Sequence, residues 1–150
     1  MADSNSFFAR LGPRVLSILR IVAGFLIMQH GLQKVFGMLQ PVPQPGAPPP
    51  PPHSFQLLTL AGFSGILELV GGILLILGLF TRFTAFIMSG LLAVAYFGWH
   101  APGGFWPLLN RGELAALYSF VFLYLAVAGG GEWSLDRFMR RSRRRPYLTS

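Results

Sequence analysis

Four runs of apolar residues, each close to the length of a membrane-crossing helix, dominate this sequence: 15–36, 63–80, 83–99 and 114–129. A helix needs about 20 residues to span the hydrocarbon of a bilayer. The first run is long enough alone. The second and third reach that length with the flanks that begin at Leu57 and Thr81, and the fourth borrows Gly112, Glu113 and Gly130. Composition agrees, with 11% charged and 53% hydrophobic residues and a mean hydropathy of +0.55. A soluble chain of 150 residues has too much surface to hide that many apolar groups. Disorder, a coiled coil and most soluble folds are therefore excluded. The expected fold class is an all-α membrane protein, an antiparallel bundle of four transmembrane helices.

The charges say which way the bundle points. Four spans put both termini on one side of the membrane. That side carries Arg10, Arg14, Arg82 and the tail arginines Arg137, Arg140, Arg141, Arg143, Arg144 and Arg145, whereas the other carries Lys34 and Arg111. Short basic segments stay in the cytoplasm, so both ends are expected there (N-in/C-in). The domain organisation follows: a cytoplasmic or interfacial segment 1–14, a four-helix transmembrane domain 15–137, and a basic cytoplasmic tail 138–150. A cleavable signal peptide is not expected, because Arg20 interrupts the first apolar run and no small-x-small site follows it.

The connections differ in kind. Residues 40–53 contain eight prolines, cannot be helix or sheet, and read as a polyproline II loop on the outer side. Between the second and third spans only Thr81 and Arg82 intervene, which requires a tight hairpin. Residues 100–112 form a second outer loop, rich in Gly, Pro and aromatic residues. After the fourth span, Ser134 is positioned to cap a short helix.

The net charge is +7, and there are no cysteines. Thiolate catalysis, disulfide exchange and iron–sulfur clusters are thereby excluded. The basic tail points to anionic lipid headgroups as its partner and not to nucleic acid, since its arginines flank apolar runs.

Polar residues inside the apolar runs are the informative ones, because ionisable groups in hydrocarbon are costly and face the bundle interior. Glu68 is the sharpest. Ala61, Gly65, Glu68 and Gly72 form one stripe of the second helix, and stripes of small residues let helices approach closely. Glu68 is then either a proton-transfer group or a structural carboxylate paired with a basic residue of another helix. On the first helix, His30, Gln33 and Lys34 share a face. Arg20, Gly24, Ile27, Gly31 and Lys34 form a continuous stripe, on which Arg20 reads as a snorkelling or carbonyl-capping residue. The outer loop adds His100, Asn110 and Arg111, and Glu113 opens the fourth helix, where an acid also suits the dipole. All four helices thus bring a polar group towards one outer pocket.

Three chemistries fit such a pocket. A quinone needs an apolar slot and proton donors, with Glu68, His30 and Glu113 as candidate proton-transfer residues. Lys34, His100 and Asn110 are candidates for binding the quinone or an oxidised sulfur anion. A haem needs axial ligands, and His30 with His100 is the one available pair, although His100 lies at a helix end beside Pro102. A metal centre is disfavoured because the Glu-x-x-His pairs of di-iron bundles are missing. Walker motifs, nucleotide loops and serine triads are absent.

These residues also fall in a familiar order. His30-Gly31-Leu32-Gln33-Lys34 resembles the H-G-x-x-K of the DoxX family. Gly65-Ile66-Leu67-Glu68-Leu69-Val70-Gly71-Gly72 followed by Gly78-Leu79-Phe80-Thr81-Arg82 is similar to its second helix and G-L-x-T-R turn. Asn110-Arg111-Gly112-Glu113 resembles its N-x-G-E, and Ser134-Leu135-Asp136 its S-L-D. The resemblance covers about residues 15–137. It implies a small four-helix protein of the bacterial plasma (inner) membrane. Relatives include the membrane subunit of thiosulfate:quinone oxidoreductases, and members are tied to redox and sulfur stress. The implied function is a membrane subunit of a quinone-linked oxidoreductase, with a separate redox subunit as partner and Glu68 as proton donor. The alternatives are a non-enzymatic membrane scaffold, self-associated as a homo-oligomer or joined to other proteins, and a small transporter. The polyproline loop departs from the short first loop of the family.

Overall fold

The computed structural model describes residues 2–40 and 53–143, with side chains described over 7–40 and 53–142. Residues 41–52 of the expected polyproline II loop, and Arg144 and Arg145 of the tail, lie outside the described residues. Among the described residues there are five α-helices: α1 (Ala2–Phe36), α2 (Leu60–Leu77), α3 (Thr81–Ala95), α4 (Glu113–Ala128) and α5 (Leu135–Arg143). The first three apolar segments, Phe7–Phe36, Leu60–Leu77 and Thr81–Gly103, are long and apolar enough to cross a membrane, and Glu113–Ala128 is a shorter apolar helix.

α1 is longer than the apolar run suggests, at 35 residues. At 1.5 Å per residue it extends about 50 Å, well beyond a hydrocarbon core of about 30 Å. Pro13 lies inside it. The Pro13 carbonyl accepts from Ser17 Oγ at 2.9 Å and from Glu132 N at 3.0 Å. This turn of α1 is therefore a docking point for the segment that leads into α5.

α2 starts on Thr59, whose hydroxyl accepts from Gly62 N at 3.1 Å. It ends on Gly78 at φ +68°, with Gly78 N and Leu79 N returning to the Leu75 and Leu74 carbonyls. Glycine suits this left-handed position because it has no Cβ to clash. The hairpin turn is thus 78–80, and Thr81 and Arg82, expected as the turn itself, form the first turn of α3. Phe80 has φ +49°, a costly conformation for a bulky residue. Asp136 stabilises this turn: its carboxylate accepts from Phe80 N and Thr81 N, both at 2.8 Å.

The helices associate as two pairs, α1 against α2 and α3 against α4, with few residues linking α2 to α3 or α1 to α4. The first pair is held by glycines. A Cβ on Gly72 would stand 2.7 Å from Met28 Cβ, and one on Gly24 would stand 2.9 Å from Leu75 Cβ. The α1 stripe Arg20, Gly24, Ile27 and Gly31 is its buried face. The second pair is clipped by reciprocal bonds, Ser89 Oγ to the Ser119 carbonyl at 2.8 Å and Ser119 Oγ to the Ser89 carbonyl at 3.2 Å. Ile27, Leu75, Met88, Phe122 and Leu125 form the shared core. Outside it, Phe25, Phe63, Phe83, Phe86, Phe120 and Val127 are exposed, a girdle suited to lipid and not to water.

The end of the bundle near Arg20 is tied by polar groups. The Arg20 guanidinium is fully buried. It donates to the carbonyls of Gly130 at 2.9 Å, Ile76 at 2.9 Å and Trp133 at 2.6 Å, and to that of Leu75. It therefore caps α2 and joins α1, α2 and the segment after α4 through four acceptors. Of the two expected roles, capping is observed and snorkelling is not. Ser134 caps α5 as expected, accepting from Arg137 N at 3.3 Å.

Candidate functional site

At the opposite end, near Lys34, the two helix pairs splay apart. The floor of the opening is set where Met88 of α3 lies on Gly71 of α2; a Cβ on Gly71 would stand 2.6 Å from Met88 Sδ. Above this contact is a cleft of about 800 Å³ between α2 and α3. Its walls are mostly apolar, including Phe63, Leu67, Phe86, Leu91 and Val94. Its polar residues are Lys34, Ser64, Glu68, Ser89 and His100.

The polar wall is built from glycine and helix phase. Lys34 is in the last turn of α1, and its stem lies on Gly65, where a Cβ would stand 2.8 Å from Lys34 Cβ. This close approach lets Lys34 Nζ donate to Glu68 Oε1 at 2.7 Å and to Ser64 Oγ at 3.2 Å. An ammonium has three N–H groups, so one remains for a further acceptor. The Glu68 side chain is 5% exposed and that of Lys34 is 34% exposed. The second carboxylate oxygen, Glu68 Oε2, is buried without a hydrogen-bond partner among the described residues. A buried, unpaired carboxylate oxygen is costly. The cleft wall thus holds an ammonium with a donor to spare, set against a nearly buried carboxylate.

The rim is formed by the end of α3, which widens into a π-helical turn over Tyr96–His100 and a 3-10 turn over Ala101–Gly103. Such turns recur at functional sites. His100 Nδ1 lies 3.1 Å from the Asn110 carbonyl, which fixes the ring at the cleft edge. Asn110 itself organises the loop. Its Nδ2 donates to the Gly104 carbonyl at 2.8 Å, and its Oδ1 accepts from Gly112 N at 2.8 Å.

The structure therefore brings three of the six expected site residues, Lys34, Glu68 and His100, to one cleft. The other three are placed elsewhere. Asn110 stands behind His100, His30 is exposed on α1, and Glu113 is exposed at the start of α4; none of them lines the cleft. Of the two histidines that a haem would need, His100 lines this cavity and His30 does not. No group of three or more His, Asp or Glu residues that could hold a metal occurs among the described residues. Ser64 was missed by sequence reading. Its signal was its position four residues before Glu68, which puts both on one side of α2.

Apolar walls and one donor–acceptor pair suit a flat or extended amphiphile with polar oxygen at one end. The apolar part would lie between Phe86, Val94 and Leu67, and the oxygen would accept from the Lys34 ammonium.

Comparison with known proteins places these features. Residues 15–101 match the DoxX family. A protein of Haemophilus influenzae, named only as uncharacterized, is 42% identical over 127 residues, covering 83% of this chain and 90% of the relative. An uncharacterized membrane protein of Mycobacterium tuberculosis is 28% identical over 145 residues, covering 84% of this chain and 82% of the relative. A second H. influenzae protein is 35% identical over 74 residues, 49% of each chain. No solved structure matches the chain. The match covers α1 from Val15 onward, α2 and α3, and includes every residue of the Lys34–Glu68 wall, and the chain belongs to the DoxX family of membrane proteins.

Proposed function

We propose that this chain is the quinone-binding membrane subunit of an oxidoreductase, with the α2–α3 cleft as the quinone site. The carrying observation is the spare N–H of the Lys34 ammonium, held in place by Glu68, in an otherwise apolar cleft. Reduction of a quinone to a quinol takes up two electrons and two protons. The electrons come from a separate redox subunit, consistent with a chain that has no cysteine. Lys34 hydrogen-bonds one quinone oxygen and supplies its proton. Glu68 holds the ammonium in place, and in the reverse direction the proton returns to the Lys34 amine. Water at the His100 rim supplies the second proton. His30 and Glu113, both exposed, act only in returning protons from the aqueous side, and Asn110 acts by holding His100.

The proposal includes the membrane arrangement. Four spans cross the bacterial plasma membrane, with both termini in the cytoplasm. Arg10, Arg14, Arg82, Arg137, Arg140 and Arg141 gather at the Arg20 end, which supports a cytoplasmic position for that end. The cleft then opens in the outer half of the bilayer. At 16 residues, α4 is about 24 Å long and needs its flanks to complete a span.

A non-enzymatic scaffold is the second reading. It is favoured by one observation: Lys34 and Glu68 already close on each other, as internal glue would. Purification from native membranes in mild detergent separates the two. Quinone extracted at about one per chain, with a redox subunit whose quinone reduction falls in Glu68→Gln, supports the first reading. A chain free of quinone, whose Glu68→Gln variant loses only folded yield, supports the scaffold.

A further inference from the structure

A second cavity, of about 400 Å³, lies at the Arg20 end between α1, α4 and α5. Its lining includes Arg82, Arg137 and Arg140 against one carboxylate, Asp136. That carboxylate is already engaged by Phe80 N and Thr81 N. The cavity therefore presents net positive charge, three guanidiniums against one carboxylate.

Arg82 gives the cavity a defined shape. Its Nη1 donates to the Val127 carbonyl at 2.6 Å and the Ala126 carbonyl at 3.4 Å, which fixes the guanidinium across the end of α4. The opposite edge, Nε with Nη2, has no acceptor among the described residues. It faces Gly129, where a Cβ would stand 3.4 Å from both nitrogens. A glycine here leaves that edge open. The Nε–Nη2 edge is the fork that matches two oxygens of a phosphate or carboxylate.

α5 supplies the apolar counterpart. Leu135, Phe138 and Met139 are spaced three and four residues apart on one face and are exposed. Arg137, Arg140 and Arg141 occupy another. A short helix of this pattern lies in the membrane interface with its apolar face among acyl chains.

We infer that Arg82, Arg137 and Arg140 hold the phosphate of an anionic phospholipid, with the Arg82 fork taking two of its oxygens and the apolar face of α5 flanking its acyl chains. Free phosphate shares the headgroup chemistry but would gain nothing from Leu135, Phe138 or Met139. This site is separate from the α2–α3 cleft and stands whether or not the cleft takes a quinone.

The test uses the full chain in phosphatidylcholine nanodiscs doped with phosphatidylglycerol, with bound lipid read by native mass spectrometry. Two variants are compared with wild type. Arg82→Lys keeps the charge and loses the fork. Arg137→Gln/Arg140→Gln leaves the Arg82 cap on α4 intact, and its thermal midpoint in pure phosphatidylcholine reports that it is folded. Wild type is expected to retain phosphatidylglycerol selectively, with Arg82→Lys weakened about tenfold, the loss of one charge-assisted contact, and the double variant, which loses two, weakened about a hundredfold. Retention by the folded double variant equal to wild type overturns the inference. Displacement of the lipid by inorganic phosphate at matched concentration overturns it as well, because the site would then be one for the free anion.

Discussion

Lys34 Nζ and Glu68 Oε1 meet at 2.7 Å across the α1–α2 contact, and the two partners are unequally buried: the Glu68 side chain is 5% exposed and that of Lys34 34%. The inequality fixes the order of two mutational effects. Lys34→Met leaves a nearly buried carboxylate without its cation, and losses of that kind run to about 3 kcal/mol. Glu68→Gln leaves an ammonium that reaches solvent along its own stem, and solvent screening limits the loss to about 1 kcal/mol. Unfolding in mixed detergent is expected to rank Lys34→Met as the more destabilised. The reverse order would mean that Lys34, not Glu68, bears the cost of burial.

Arg20 is the structural counterpart at the other end. Its planar fork reaches four carbonyls on two segments, α2 and the stretch after α4. Lysine keeps the charge but has three donors on one atom and cannot span those acceptors. Arg20→Lys is therefore expected to cost about 3 kcal/mol, the equivalent of one or two charge-assisted hydrogen bonds, and to leave binding in the distant cleft unaltered in the protein that folds. Thermal unfolding in detergent, followed by tryptophan fluorescence from Trp133 beside this cluster, measures the loss. A midpoint equal to wild type would show that the four carbonyl bonds contribute nothing net.

Two glycines give a matched pair. A Cβ on Gly31 would run into the Leu69 backbone, whereas Gly90 has nothing within 4 Å. Gly31→Ala is expected to push α1 off α2, stretch the Lys34–Glu68 contact and destabilise by about 2 kcal/mol, as overpacking does. Gly90→Ala is expected to be neutral or to stabilise by up to about 1 kcal/mol, since glycine weakens a helix interior. Equal midpoints for the two variants would contradict the close packing of α1 on α2.

Much of this was legible in the sequence, and the reasons are physical. Apolar run length marks where hydrocarbon can lie, so the runs around α2, α3 and α4 gave elements close to those observed. The same measure stopped short on α1, because Arg10, Gly12, Pro13 and Arg14 end the apolarity without ending the helix. The α1 stripe from Arg20 to Gly31 was readable because glycine spacing and helical phase alone decide which face packs. His30 and Lys34 share a four-residue spacing, yet only Lys34 rests on Gly65 and turns to Glu68. Which of two neighbours on one face meets the partner depends on where α2 crosses, and no local pattern encodes that. An outer polar pocket was legible, but its place between α2 and α3 was not. It arises because α2 and α3 part above the Gly71–Met88 contact, an outcome of packing between residues distant in sequence. The motif carrying Thr81, Arg82 and Asp136 was visible as a pattern. Its meaning, a strained turn at Phe80 stabilised from α5, needed the hydrogen bonds.

The most direct measurement is quinone binding to a chain whose cleft is filled while its polar wall is kept. Gly90 lines the cleft, faces open space and touches neither Lys34 nor Glu68, so Gly90→Phe should occupy the slot without disturbing the pair. A short-chain quinone is titrated into nanodiscs of wild type and of Gly90→Phe, with thermal midpoints measured in parallel. Saturable binding at about one quinone per chain in wild type, lost in a Gly90→Phe variant of unchanged midpoint, is the expected result. Absence of saturable binding in wild type, or equal binding in both, would contradict the assignment of the cleft to quinone.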